Sequence, residues 1–119
     1  MARTQLAVTT TAAGGTTLPA AVAVDQANGN SFTNTGREMI EITNGAASNI
    51  NVTFTTNGVY SVGSVQYAIA DLVVLVVNAT TKVCGPFDKA LFNDGAGNVD
   101  VDWSSGTSIT ARVISLGSA

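Results

Sequence analysis

Asp71 to Phe87 reads DLVVLVVNATTKVCGPF, and its first half decides the fold class. Leu72 to Val77 is six apolar residues in succession, four of them valine. Valine is stiff at its first side-chain torsion and suits a pleated backbone better than a helix. Six residues is a strand length, too short for a buried helix. A strand apolar at every position has both faces covered, so something besides its own sheet must lie over the second side. Asn78-Ala79-Thr80-Thr81 breaks the run, Lys82 to Cys84 resumes an extended pattern, and Gly85-Pro86 stops it, because proline cannot donate to a ladder.

On the N-terminal side, Ile40 and Ile42 share one face of Glu38 to Thr43, opposite Met39 and Glu41. Ile50, Val52 and Phe54 share a face of Asn49 to Thr56, opposite Asn51 and Thr53. This is period-two alternation. The five-residue link from Asn44 to Ser48 predicts an antiparallel hairpin between the two runs. Val59 to Ala70 is interrupted by Gly63 and reads as an irregular crossing loop with a short helical turn at Tyr67 to Ala70. On the C-terminal side, Phe87 to Phe92 reads as a loop that turns its aromatic rings inward, and residues 93–98 are a dense turn signal. Val99, Val101 and Trp103 then alternate with Asp100 and Asp102, and Ile109, Ala111 and Val113 alternate in the last strand.

Residues 1–20, rich in Thr, Ala and Gly, sustain neither pattern, although Gln5 to Thr9 is compatible with a short strand. They read as an extended arm lying across a neighbouring molecule, with Arg3, Leu6 and Val8 as its anchors. Residues 21–119 then form a single domain. The expected architecture is all-β: a β-sandwich or jelly-roll of seven or eight short antiparallel strands with an extended N-terminal arm.

The 119 residues carry a net charge of −3, and only 11% are charged, against about 25% in an ordinary soluble domain. That is about one charge per 450 Å² of the roughly 6,000 Å² expected for a folded chain of this size. Either Thr, Ser and Asn supply the polar surface, or much of the surface is buried against partners. The acidic balance argues against nucleic acid, which requires a basic stripe. No run reaches the ~18 apolar residues of a membrane span, and MARTQLAVTTT lacks the unbroken apolar core of a secretory signal. Asn51-Val52-Thr53 and Asn78-Ala79-Thr80 match the glycosylation sequon, which matters only in a secreted chain. Cys84 is the only cysteine and reads as core filler.

The chain has no histidine, which removes a histidine-based triad and the usual zinc pattern. Phosphate-cradling glycine motifs are absent. Asp88, Asp94, Asp100 and Asp102 fall within fifteen positions and could supply carboxylates to calcium, but without the spacing of an EF-hand loop. Glu38 and Glu41 fall on opposite faces of a regular strand, unsuited to a two-carboxylate glycosidase. The expectation is a chain with no catalysis, metal or cofactor.

Several short blocks in order carry a family resemblance: Asn28-Gly29-Asn30-Ser31-Phe32, Asn34-Thr35-Gly36-Arg37, Ala68-Ile69-Ala70-Asp71-Leu72 with the valine strand, Gly85-Pro86-Phe87, Phe92-Asn93, Val99-Asp100-Val101-Asp102-Trp103-Ser104 and Ile109-Thr110-Ala111. Over roughly 90 residues the chain resembles the small β-sandwich decoration, or cement, proteins of tailed-bacteriophage capsids. The resemblance implies a passive binder made in the bacterial cytoplasm and placed on the outer capsid surface of the virion. It implies a homotrimer whose partners are its own copies and the major capsid protein. Within Val59 to Ala70, Tyr60 and Tyr67 read either as an interface anchor or as lids on the core. Two further readings are a tail or baseplate subunit and a surface module that stacks glycans on Trp103, Tyr60 or Tyr67.

Overall fold

The computed structural model describes residues 2–116, and of Tyr60 the backbone only. Its strands are β1 (Thr4–Gln5), β2 (Val8–Thr10), β3 (Val22–Ala23), β4 (Asn30–Thr33), β5 (Glu38–Asn44), β6 (Ile50–Phe54), β7 (Val59–Val62), β8 (Val65–Ala68), β9 (Leu72–Val76), β10 (Thr80–Cys84), β11 (Asn98–Trp103) and β12 (Ile109–Ser115). One helical turn, α1 (Lys89–Phe92), interrupts them. The protein is nearly all β. The expected seven or eight strands become twelve because the arm, Val22–Ala23 and the supposed crossing loop also pair.

The alternating runs place their apolar side chains as the pattern predicts. Glu38, Ile40, Ile42 and Asn44 of β5 are buried while the residues between them are half-buried. In β11, Val99, Val101 and Trp103 are buried, and in β12, Ile109, Ala111 and Val113. One sheet has the order β1-β4-β11-β6-β9 and a second the order β10-β5-β12-β2, with β3 also on β12. Both sheets contribute to one hydrophobic core, in which Phe87 touches Phe32, Phe54 and Phe92 at centroid distances of 5.8, 4.8 and 5.2 Å.

The expected hairpin between Glu38–Thr43 and Asn49–Thr56 does not form. β5 pairs with β10 and β12, whereas β6 pairs with β11 and β9. The same holds for β9 and β10 and for β11 and β12: the chain changes sheet at each of these links. Alternation reports which face is buried but not which sheet a strand joins, and a five-residue link is long enough to cross the ~10 Å between stacked sheets. Asn44 shapes the first crossing. Its side-chain amide donates to the Ser48 and Val76 carbonyls, both at 3.0 Å, and its side-chain oxygen accepts the Ala46 N–H at 2.9 Å.

Two other local expectations change. Tyr67 to Ala70 is not helical, since Tyr67 and Ala68 close β8. The helical turn lies instead at Lys89–Phe92, where the Asp88 side chain accepts the Ala90 N–H at 2.9 Å.

Candidate interaction surface

Arg3 is the first residue the sequence singles out, and it lies on its own chain. Its guanidinium makes a two-pronged bond to Asp102, with Nη1 at 2.8 Å from Oδ1 and Nη2 at 3.1 Å from Oδ2. It also donates to the Val101 carbonyl at 3.1 Å and stands 3.7 Å from Asp100. Gly29 makes room for this contact: at its φ of +79° a Cβ would run into Arg3 Nη1 and Asp102 Oδ1.

Leu6 is buried in the core at 3% exposure, and its N–H donates to Ser31 at 2.7 Å. Val8 is half-buried and lies opposite Val113 in the parallel β2–β12 pair. The arm expected to reach a neighbour therefore lies along its own sheets, with β1 extending the first and β2 the second. The reason is geometric and electrostatic. β4 and β12 each offer an edge to the arm, and the outward carboxylates of β11 offer Arg3 a counter-charge.

The aspartates considered for calcium are each engaged within the protein. Asp88 caps α1, Asp94 accepts the Ala96 and Asn98 N–H groups at 2.8 and 3.1 Å, and Asp100 and Asp102 hold Arg3. Burial and the neighbouring Asp94 charge push the Asp100 carboxyl above its ordinary value. Burial also acts to raise Asp94, but bonds from the Asn98 and Ala96 N–H groups and from Asp100 hold it below. The proton preference of this pair therefore lies with Asp100. Among the described residues no group of three or more His, Cys, Asp or Glu side chains could hold a metal ion. Trp103 is 5% exposed, and its indole N–H donates to Asn30 Oδ1 at 2.8 Å. That position withdraws it from any glycan-stacking role.

The feature that stands open is apolar. β9 is not covered on both faces as the valine run predicts: Val74 and Val76 pack on the core, while the opposite face and the free edge of the first sheet stand open. Leu72 is 42% exposed, Val73 57% and Leu75 49%, and Val76 alone of the strand is fully buried. The Leu75 carbonyl accepts Lys82 Nζ at 2.8 Å, so it points away from β6. By the two-residue repeat of a strand, the backbone of Val73 faces the same open edge.

Just before β9 in the chain comes the β7–β8 hairpin, which belongs to neither of the two five-stranded sheets. Its register sets Val62 opposite Val65 and the backbone of Tyr60 opposite Tyr67. Val62, Val65 and Tyr67, all on one face, are each at least half exposed, and Val59 on the other face is too. The Tyr60 side chain, expected as an interface anchor, lies outside the described residues. The hairpin's base is fixed by Thr56, whose hydroxyl donates to the Ile69 carbonyl at 2.5 Å and whose N–H donates to Asp71 at 3.0 Å. The sequence signal missed here is Gly63-Ser64, a two-residue Gly-X turn between valines, with Gly63 at φ +59°.

Seven large apolar residues of the hairpin and β9 are each 42–57% exposed, a concentration of open apolar surface of the kind that marks a contact site. The total surface, 6569 Å², exceeds the roughly 6,000 Å² expected at this length. The Cα radius of gyration, 15.0 Å, exceeds about 13.5 Å. Elsewhere, a shallow depression of about 500 Å³ bordered by Gly36, Pro86, Phe87, Asp88 and Lys89 is open to solvent, and a cleft of about 80 Å³ lies between the arm and β12. Among the described residues no helix is long and apolar enough to cross a membrane.

Fold and surface thus define a nearly all-β protein with an open apolar rim. Comparison with protein-family models, with curated proteins and with solved structures found no match in any of the three.

Proposed function

We propose that this chain is a non-catalytic structural subunit, a β-sandwich of jelly-roll type that decorates the outside of an assembled tailed-phage head as a homotrimer and ties adjacent capsomers together. The observation that carries the reading is the uncovered apolar rim of β7–β9, on a chain too sparsely charged to keep such a surface in water. The ordered blocks of family-like sequence give the rim its setting. A binder that touches several capsomers gains avidity without one strong contact, which suits a protein that reinforces a pressurised shell. In this reading the arm braces the subunit against its own sheets, and the capsid protein is met elsewhere on the surface.

The test is co-sedimentation of the purified chain with heads of the phage that encodes it, followed by cryo-electron microscopy of the pelleted particles. Ordered density outside the shell at three-fold or quasi-three-fold positions is expected. A chain that stays in the supernatant at saturating concentration overturns the proposal.

A further inference from the structure

A two-stranded hairpin alone is marginal in water and needs a third strand or a packing surface. Among the described residues the β7–β8 hairpin pairs with no third strand, and its described side chains are exposed in both strands. A few residues later β9 presents the converse: an open edge with Leu72, Val73 and Leu75 exposed. Monomeric β proteins protect such edges with prolines, bulges, inward charges or lysines on the strand. β9 has no proline and no charge, and its one guard is Lys82, which reaches the Leu75 carbonyl from β10. One molecule therefore carries both a projecting element in need of cover and an edge in need of a strand.

We infer that the β7–β8 hairpin of one copy packs on the β9 edge and outer face of the next, joining copies head to tail into a closed ring. Two observations select a second copy as the occupant. Between Ile42 and Phe87 the only charged residues are Asp71 and Lys82, and both are already engaged by the chain's own backbone. A patch this free of charge lets copies of a molecule of net charge −3 meet without like-charge repulsion across the seam. Second, pairing β9 against β9 across a two-fold axis would leave the hairpin uncovered in both copies. A head-to-tail contact satisfies both elements, and such contacts form a ring where the rotation between copies closes.

This inference deepens the reading of the chain as a self-assembling shell subunit and rests on it, but its test needs no capsid. Light scattering on the purified full chain at micromolar concentration should give a mass that is a small multiple of one chain. Val62→Lys removes the hairpin's contact and Val73→Lys the edge's, at positions 52% and 57% exposed. Each variant alone should fall to the mass of a single chain while keeping the wild-type circular dichroism. An equimolar mixture should double that mass, since the hairpin of the edge variant still finds the edge of the hairpin variant. If either lysine variant loses its β signal, Val65→Lys and Leu75→Lys take their places.

A monomeric wild-type chain overturns the inference, as does either variant keeping the wild-type mass. A mixture that stays monomeric overturns the head-to-tail arrangement. A chain that forms the ring yet ignores phage heads keeps the seam and loses the decoration function. One that decorates heads as a monomer does the reverse.

Discussion

Asn44 is asparagine because a crossing between sheets strands backbone groups that one side chain must collect. Asn44→Ala leaves the buried Val76 carbonyl and the Ala46 N–H without partners. The expected loss is about 2–3 kcal/mol, read as a lower urea midpoint with an unchanged slope. Glu38 performs a similar service at the start of β5. Burial alone would raise its pKa, but bonds from the Thr35 N–H, the Ser115 and Thr35 hydroxyls and the Arg37 N–H outweigh it and hold the carboxyl below its ordinary 4.5. A carboxyl depressed on folding stabilises the protein above its unfolded pKa and loses that contribution as pH falls through the folded value. Stability should therefore drop as acid is added below about pH 4.5. Glu38→Gln should flatten that limb in thermal melts, and an unchanged limb would place the acid sensitivity elsewhere. Asn44 and Glu38 look like ordinary turn and strand-surface residues by type, and only the period-two register, which sets both on the face of Ile40 and Ile42, points to their burial. Trp103 is the opposite case: its alternation with Asp100 and Asp102 already places it inward, where it is.

For single elements, period two was enough to locate β5, β6, β11 and β12 and to orient their faces. Partner choice was not legible, because the pattern is the same whether a loop folds back within a sheet or crosses to the other. The arm shows the limit most clearly. Its short polar stretches carry no periodicity, yet β1 and β2 add to both sheets, and Leu6 enters the core. Leu6→Ala should cost about 2–4 kcal/mol by leaving a cavity, seen as a lower melting temperature of the isolated chain. A purely external arm would show no such change. Gly29→Ala should lower stability by more than about 1 kcal/mol, from the left-handed backbone it must hold, and should unseat Arg3 from Asp102. The Arg3–Asp102 pair itself, with Asp102 half exposed, is worth under about 1 kcal/mol. Removing the arm should therefore be felt through Leu6 and the lost strand pairing more than through charge.

For the whole molecule, the valine run was read as a strand with both faces covered; it is a strand, but the chain covers only the face of Val74 and Val76 and leaves Val73 and Leu75 exposed. If a second copy supplies the rest, the melting temperature should rise with protein concentration in the wild type and not in Val73→Lys. The alternation between sheets has a further effect, on the order in which the protein can be made. β5 finds its neighbours only in β10 and β12, β2 and β3 wait for β12, and β4 gains its antiparallel partner only with β11. As the polypeptide leaves the ribosome, β6 can pair with β9 and β5 with β10, but β2, β3 and the second side of β5 wait for β12. Such a topology delays folding to the milliseconds-to-seconds range. Nascent chains arrested before Ile109 should remain protease-sensitive at β2, β3 and β5, and adding β12 should protect these segments together.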